Sequence, residues 1–285
     1  MARVSIGVPV YNGVSLIQES LDCIASQSFR DIEVIISDNG STDGTSKICA
    51  EFVAKDSRFK YIRHDKVMDV MLNFAFVRDQ AKSPLFMWRA YDDLSSHNYI
   101  EELVKVFDQA PETLLAVGNV SQETGGKKCK KMYSYNASNN GSRILRILSQ
   151  LFRGHASWFY GLWCHAACVE VTTKIYSIYP DSWAADHLTL FHCVMRDGIR
   201  GTKNTTFKQR IIAAARGPKS RFRPSYREIK DRNERFASLC RSAIDGANLN
   251  GGEKKNLHRV LPLYVNKRCH GLKRALQAKF RRNKD

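Results

Sequence analysis

The chain has 285 residues, 43% of them hydrophobic and 26% charged, a globular composition that excludes a disordered chain. No stretch reaches the ~18–20 uninterrupted apolar residues of a membrane-spanning helix, and Met1–Val10 lacks the apolar core and small-residue cleavage site of a secretory signal. The net charge is +17, and residues 216–285 hold 20 Lys and Arg against 6 Asp and Glu, a net of +14 on a nearly neutral body. Such asymmetry points to a polyanionic partner: nucleic acid, anionic lipid head groups or phosphate-bearing substrates.

Arg3–Val10 reads as a short apolar strand ending at Pro9 and the turn residues Asn12 and Gly13. Ser15–Ser26 has helical apolar spacing, Ile32–Ser37 is a β-branched run, and Asp38–Gly44 breaks it. Thr45–Lys55 predicts a second helix and Phe59–Arg63 a third strand. This alternation predicts a right-handed parallel α/β sheet, in which ligands bind beyond the carboxyl ends of the strands. Val70–Ala81 predicts a helix ended by Ser83-Pro84, and the apolar strand Leu85–Ala90 runs into Tyr91, Asp92 and Asp93. Asn98–Gln109 is an amphipathic helix with Ile100, Leu103, Val104 and Phe107 on one face, and Leu114–Val120 is a further strand.

Beyond Ser121 the pattern loosens. Gly125–Gly141, rich in Lys, Asn, Ser and Gly, reads as a mobile loop, Ser142–Phe152 as a helix, Trp183–Met195 as a helix and Thr206–Ala215 as a strand. The aromatic segment Ser157–Trp163 suits either core or a platform for sugar stacking. The tail from Arg216 is helical in stretches. In Leu257–Lys284, Leu272, Leu276 and Phe280 form an apolar stripe beside basic flanks, with Pro262 and Gly271 expected to split the run into two helices.

The 8 cysteines include no Cys-x-x-Cys pair, which reads as reduced thiols in a cytosolic protein. Cys164 and Cys168, with His165 between, lack a second ligand pair at zinc spacing.

Asp92 and Asp93 are adjacent carboxylates at the end of an apolar strand. Burial and mutual repulsion make that pairing costly unless Mg²⁺ or Mn²⁺ binds there with substrate phosphates. A helix N-cap is the plainer role for Asp93. Asp38 either caps a turn or accepts a ligand N–H, and Tyr11 either packs or stacks on a planar base.

Val4-Ser-Ile-Gly-Val-Pro-Val-Tyr-Asn-Gly13, Ile32-Glu-Val-Ile-Ile-Ser-Asp-Asn-Gly-Ser-Thr-Asp-Gly-Thr45 and Phe86-Met-Trp-Arg-Ala-Tyr-Asp-Asp93 occur in this order. Together they resemble the family 2 glycosyltransferases, the large inverting group with the GT-A fold, over about residues 2–200. The resemblance implies a Rossmann-like, mostly parallel central sheet, with a GT-A domain over 1–215 and a basic, mostly helical extension over 216–285. Within the domain, residues 1–120 would form the nucleotide-sugar-binding half and 121–215 the acceptor half. Pro9, Tyr11 and Asn12 would form the first nucleotide-binding loop. Asp38 would read the pyrimidine N–H. Asp93 would hold Mn²⁺ or Mg²⁺, and Asp92 would contact the ribose or the metal shell. Asp186 would be the base that deprotonates the acceptor hydroxyl. The chain departs from the family pattern at Ala90, where a first Asp is common, at Ala185, where Glu is common, and at Leu72-Asn73, where Arg-Asn is usual.

The family implies a UDP-sugar donor and a glycan or lipid-linked saccharide acceptor, in lipopolysaccharide, capsule or other surface polysaccharide synthesis. The tail adds an anionic membrane surface as partner, and hence a cytoplasmic protein held at the inner face of the membrane. Two rivals stand beside this: a basic nucleic-acid-binding α/β protein, though no nucleic-acid module is recognisable and no specific nucleic acid is expected, and a sugar nucleotidyltransferase. The latter needs a Gly/Lys-rich phosphate loop after the first strand, which Tyr11-Asn12-Gly13 is not.

Overall fold

The computed structural model describes residues 1–124, 127–136, 142–179, 182–211 and 225–269. Its first half is β1 (Val4–Val10), α1 (Ile17–Ala25), β2 (Ile32–Asp38), α2 (Thr45–Lys55), β3 (Phe59–Arg63), α3 (Val70–Gln80), β4 (Leu85–Trp88), β5 (Leu94–Ser95) and α4 (Tyr99–Gln109). Then follow β6 (Leu115–Thr124), β7 (Lys127–Tyr133), α5 (Arg143–Arg153), a 3₁₀ turn (Ala156–Tyr160), β8 (Leu162–Cys164), α6 (His165–Ile178), α7 (Ala185–Met195), β9 (Ile199–Ile211), α8 (Tyr226–Asp245) and α9 (Gly251–Cys269). Among the described residues the strands form one sheet in the order β3-β2-β1-β4-β8-β6-β9-β5, with β7 added to β6.

Strands β1, β2, β3 and β4 are mutually parallel. Every residue of β1 and β4 is buried, because helices cover both faces of such a sheet and the strands must be apolar throughout. The register aligns Val10 with Asp38 and Gly7 with Trp88, so the loops after β1, β2 and β4 open at one edge. Pro9 is tolerated in a central strand because its odd-numbered neighbours turn their peptide groups towards β4 (the Gly7 carbonyl accepts the Arg89 N–H at 2.9 Å). Pairing to β4 ends at Gly7, so the missing N–H breaks no ladder bond.

Gly7 lies beneath α3. A Cβ there would sit 2.6 Å from Val77 Cγ2 and 2.8 Å from Val77 Cβ. Gly7→Ala is expected to destabilise the fold by about 1–3 kcal/mol through overpacking, read as a lower urea midpoint at unchanged m-value. On α4, Ile100, Leu103, Val104 and Phe107 are all buried, as the amphipathic pattern requires.

Three expectations are corrected. Part of Gly125–Gly141 is not a loop: Lys127–Tyr133 pairs antiparallel with β6. Its lysines disguise it by composition, yet Lys is a common residue of exposed edge strands. The strand expected from Thr206 begins at Ile199, pairing parallel with β6 through an irregular register between Val117 and Asn119. Pro262 does not split the tail: α9 runs through it, because Leu257, Leu261 and Tyr264 bury one face on both sides of it, outweighing the proline's usual cost. The stripe Leu272, Leu276 and Phe280 lies outside the described residues, as does the end of the strand expected to Ala215.

The C-terminal helices share the body's core. α8 opens with a capping box between Ser225 and Glu228. Phe236 meets Tyr179 at 6.4 Å and Tyr264 at 6.3 Å, and Tyr264 meets Phe191 of α7 at 5.1 Å. Arg268 donates to the carbonyls of Leu151 and Gly154 at 2.6 and 2.7 Å, closing the end of α5. Helix α7 is thereby held against α9 at Phe191.

Candidate active site

The first loop leaves β1 with Tyr11 exposed and Asn12 at φ 49°, a left-handed conformation that Asn adopts more readily than most residues. Its backbone is laced to the second loop. Asn12 N–H donates to Ser41 Oγ at 2.9 Å, Thr42 N–H donates to Asn12 Oδ1 at 2.9 Å, and Gly13 N–H donates to Thr45 Oγ1 at 2.9 Å. Pro9 is buried beneath this loop, so of the three residues only Tyr11 and Asn12 face outward.

Asp38 ends β2 fully enclosed. Its Oδ1 accepts the Ser41 N–H at 2.8 Å, and Oδ2 accepts the hydroxyls of Ser46 at 2.7 Å and Tyr61 at 2.8 Å. Burial alone would raise this carboxyl, but those hydrogen bonds outweigh it and hold Asp38 below the usual carboxylate range. The visible work of Asp38 is to shape the loop that follows it. Asn73, at the Leu72-Asn73 departure, is likewise turned inward, its Oδ1 accepting from the Ser37 hydroxyl at 2.5 Å, while Leu72 is exposed.

Asp93 is 4% exposed. Burial first, and the charge of Asp92 second, push its carboxyl up to about 7; burial also raises half-buried Asp92. Asp93 Oδ1 accepts the Arg210 N–H at 2.8 Å. The Arg210 side chain donates to the Asp92 carbonyl and to Glu19, tying the end of β9 to the acidic loop and to α1. Behind the pair lies Arg89, fully buried, with Nη2 donating to Ser95 Oγ at 2.9 Å and the guanidinium over the rings of Tyr99 and Phe207 at 5.7 and 5.5 Å. Arg89 Nε and Nη1 and Arg210 Nη2 are buried without partners among the described residues. A charged residue closing an apolar run could have signalled Arg89, which is not among the residues expected from the sequence; nothing local marks Arg210, which reaches the site from 117 residues away.

The donor set suits a divalent cation. Two adjacent carboxylates, both raised by enclosure and Asp93 further by the charge of Asp92, would be relieved by one. No group of three or more His, Cys, Asp or Glu side chains converges among the described residues. Asp92 and Asp93 could offer one or two hard oxygens to such an ion, with the rest left to phosphates and water, the usual arrangement for Mg²⁺.

Asp186 stands in the first turn of α7, after Ala184 at φ 60°. Its Oδ1 accepts the His187 N–H at 2.7 Å, and burial raises its carboxyl. It lines a pocket of about 190 Å³ with Val70, Met71, Phe74, Phe159, Tyr160 and Tyr176. The aromatic segment divides here. Trp158 and Trp163 are core, Phe159 stacks on Trp88 at 4.5 Å, and the half-buried Tyr160 stacks on Phe207 at 5.5 Å. Burial raises the Tyr160 phenol, and the charges of Asp93, Asp186 and Asp92 raise it further. One ring thus lies within electrostatic reach of three carboxylates drawn from two distant parts of the chain.

Comparison with known proteins agrees with this architecture. Residues 5–168, more than half of the chain, match the family model for glycosyl transferase family 2. The glycosyltransferase GlyA of Streptococcus pneumoniae is 30% identical over 118 residues, 41% of this chain but 16% of that protein. Among solved structures, Staphylococcus aureus TarS 1–349 in complex with UDP-GlcNAc superposes with a TM-score of 0.68 at 17% identity, covering 93% of this chain and 73% of TarS. The mannosyltransferase PcManGT of Pyrobaculum calidifontis, in complex with GDP-Man and Mn²⁺, does so at 0.58 and 17%, covering 97% and 74%. The fold is that of the GT-A glycosyltransferases, and with the family model spanning the three strand-end loops, the chain belongs to glycosyl transferase family 2.

Proposed function

We propose that the chain moves a sugar from a nucleotide diphosphate donor, a UDP-sugar, to a hydroxyl of a glycan acceptor with inversion at the anomeric carbon. The observation that supports this reading is that Asp186 shares a pocket with Tyr160, whose phenol also feels the charges of Asp92 and Asp93. Tyr11 offers an exposed ring to the base. Asp38, kept ionised by the hydrogen bonds around it, would accept a pyrimidine N–H once the loop admits the ring. Asp93 and Asp92 would hold Mg²⁺ or Mn²⁺ against the diphosphate. When bound, such an ion neutralises charge on the departing nucleotide. Asp186, its carboxyl raised by burial, takes the acceptor's hydroxyl proton as it attacks. The largely apolar walls of its pocket suit an acceptor that presents an apolar sugar face or aglycone.

The test is a panel of nucleotide sugars, each incubated with Mn²⁺ and no acceptor. Slow hydrolysis of one UDP-sugar, abolished by EDTA, is the expected result. A nucleic-acid-binding protein would hydrolyse none, and a nucleotidyltransferase would instead require a sugar phosphate and UTP.

We also propose that the tail holds the protein against an anionic membrane, as in synthesis of a lipid-linked or surface polysaccharide at the cytoplasmic face. Residues 270–285 carry 6 Lys and Arg against 1 Asp, and each basic residue near an anionic surface contributes about 1 kcal/mol at most. Because α9 is packed into the core through Tyr264 and Cys269, a cut at Val260 would damage the fold, so the informative truncation ends at Cys269. The full chain is expected to co-sediment with anionic but not neutral liposomes, and the truncated chain with neither. Equal sedimentation of both chains would remove the tail from membrane binding.

A further inference from the structure

At the other edge of the sheet lies a second cavity, of about 470 Å³, with no part in the chemistry above. Its walls bring Arg143 of α5, Lys174 of α6, His192 of α7 and Arg196, the residue that caps the end of α7, against the turn at Asn248 that follows α8. Among the lining residues one acid, Glu170, faces them, paired with Arg196 at 3.0 Å, and beyond the lining Asp197 also meets the charge of Arg143. Arg143 gives Nη1 to the Asn248 carbonyl at 2.7 Å, but its buried Nε has no partner among the described residues, and neither has the buried Nε2 of His192. Lys174 is exposed and makes no ion pair among the described residues.

Cations near helix C-termini are ordinary, since they answer the last carbonyls. That accounts for Arg143 at the end of α8. It does not account for three cationic side chains from three helices meeting over one acid around a cavity, with two buried polar nitrogens left unanswered. The local field is felt by His192, whose imidazole is held down to about 4 by burial and then by the charges of Lys174 and Arg196.

We propose that this cavity binds a phosphoryl group, with Arg143, Lys174 and Arg196 as the charged contacts and Glu170 as the side chain that must be displaced or outcompeted. Phosphate oxygens accept from several donors at once and match converging guanidinium and ammonium groups. The site is distinct from the donor diphosphate site. Arg196 lies ten residues along α7 from Asp186, about 15 Å at helical rise, and β9 runs from this edge to Arg210 at the other. The inference does not depend on the transferase reading. The same phosphoryl chemistry is offered by free phosphate and by a lipid head group.

Two probes separate these sources: inorganic phosphate, and monomeric dihexanoyl phosphatidic acid below its micelle concentration. The full chain is titrated with each while the backbone amide signals of Lys174, Arg196 and Asn248 are followed by NMR, so that binding in the donor cleft moves other signals. Saturable shifts are expected at those amides. Lys174→Gln with Arg196→Gln should weaken binding by at least about tenfold, and Glu170→Gln should strengthen it by about two- to fivefold, as expected for removing or unmasking partly exposed charge-assisted contacts. All three side chains are partly exposed, so these variants stay folded, which unchanged shifts elsewhere would verify. Tighter binding of the lipid than of phosphate assigns the site to a head group, and equal binding assigns it to free phosphate. Still amides with both probes, or the same affinity in the double variant, would overturn the proposal.

Discussion

Asp93→Ala is expected to abolish divalent-dependent binding of the UDP donor while the protein stays folded. Asp93 is enclosed and faces the charge of Asp92, so a bound divalent ion would make its ionised form favourable. The sign of its pH dependence follows. An unfolded Asp loses its proton near 3.9, whereas folded Asp93 holds its proton up to about 7. Between those values the folded chain binds the extra proton, so the metal-free protein loses stability as pH rises through that window. Asp93→Asn keeps an acceptor for the Arg210 N–H and carries no charge, so without metal it should melt no lower than the native protein at pH 8. Its melting temperature should also stop responding to Mn²⁺ and UDP, because a ligand stabilises only the form that binds it. EDTA-sensitive UDP binding that survives in Asp93→Ala would move the metal elsewhere.

Asp186→Asn is expected to leave donor affinity unchanged and to lower transfer by roughly 10²–10⁴-fold, the usual contribution of a general base. The amide oxygen still accepts the His187 N–H that Asp186 Oδ1 accepts at 2.7 Å, so the first turn of α7 and the pocket keep their shape. What the amide lacks is the ability to take the proton. Single-turnover rates with saturating donor and acceptor, beside equilibrium binding of UDP, separate the two effects. Near-native turnover would place the base on another residue. A parallel loss of donor affinity would make Asp186 part of the donor site.

Arg210 and Tyr160 show where local reasoning stops. Arg210 closes on the acidic loop only because β9 runs parallel to β6 and ends beside Asp93. Tyr160 joins the acidic pair to Asp186 because β8 enters the sheet antiparallel between β4 and β6, bringing the 3₁₀ turn over the strand ends. Both depend on pairings between residues far apart in the chain.

By itself, the sequence determined the βαβαβ half of this protein and the loops at its carboxyl edge. Strands buried on both faces must be continuously apolar, and the turn residues that end them are marked by composition, so Val4–Val10, Ile32–Asp38 and the helices between them could be read from neighbours alone. The tertiary structure decided the rest. The Lys-rich strand β7 gains its conformation from the β6 edge, α9 runs through Pro262 because its buried face outweighs a local penalty, and β9 starts earlier than its own residues suggest because β6 pairs with it. The neighbourhood of Asp186, Tyr160 and the acidic pair belongs to the same class: burial and charge at a site are set by what packs there, and local periodicity carries no record of that.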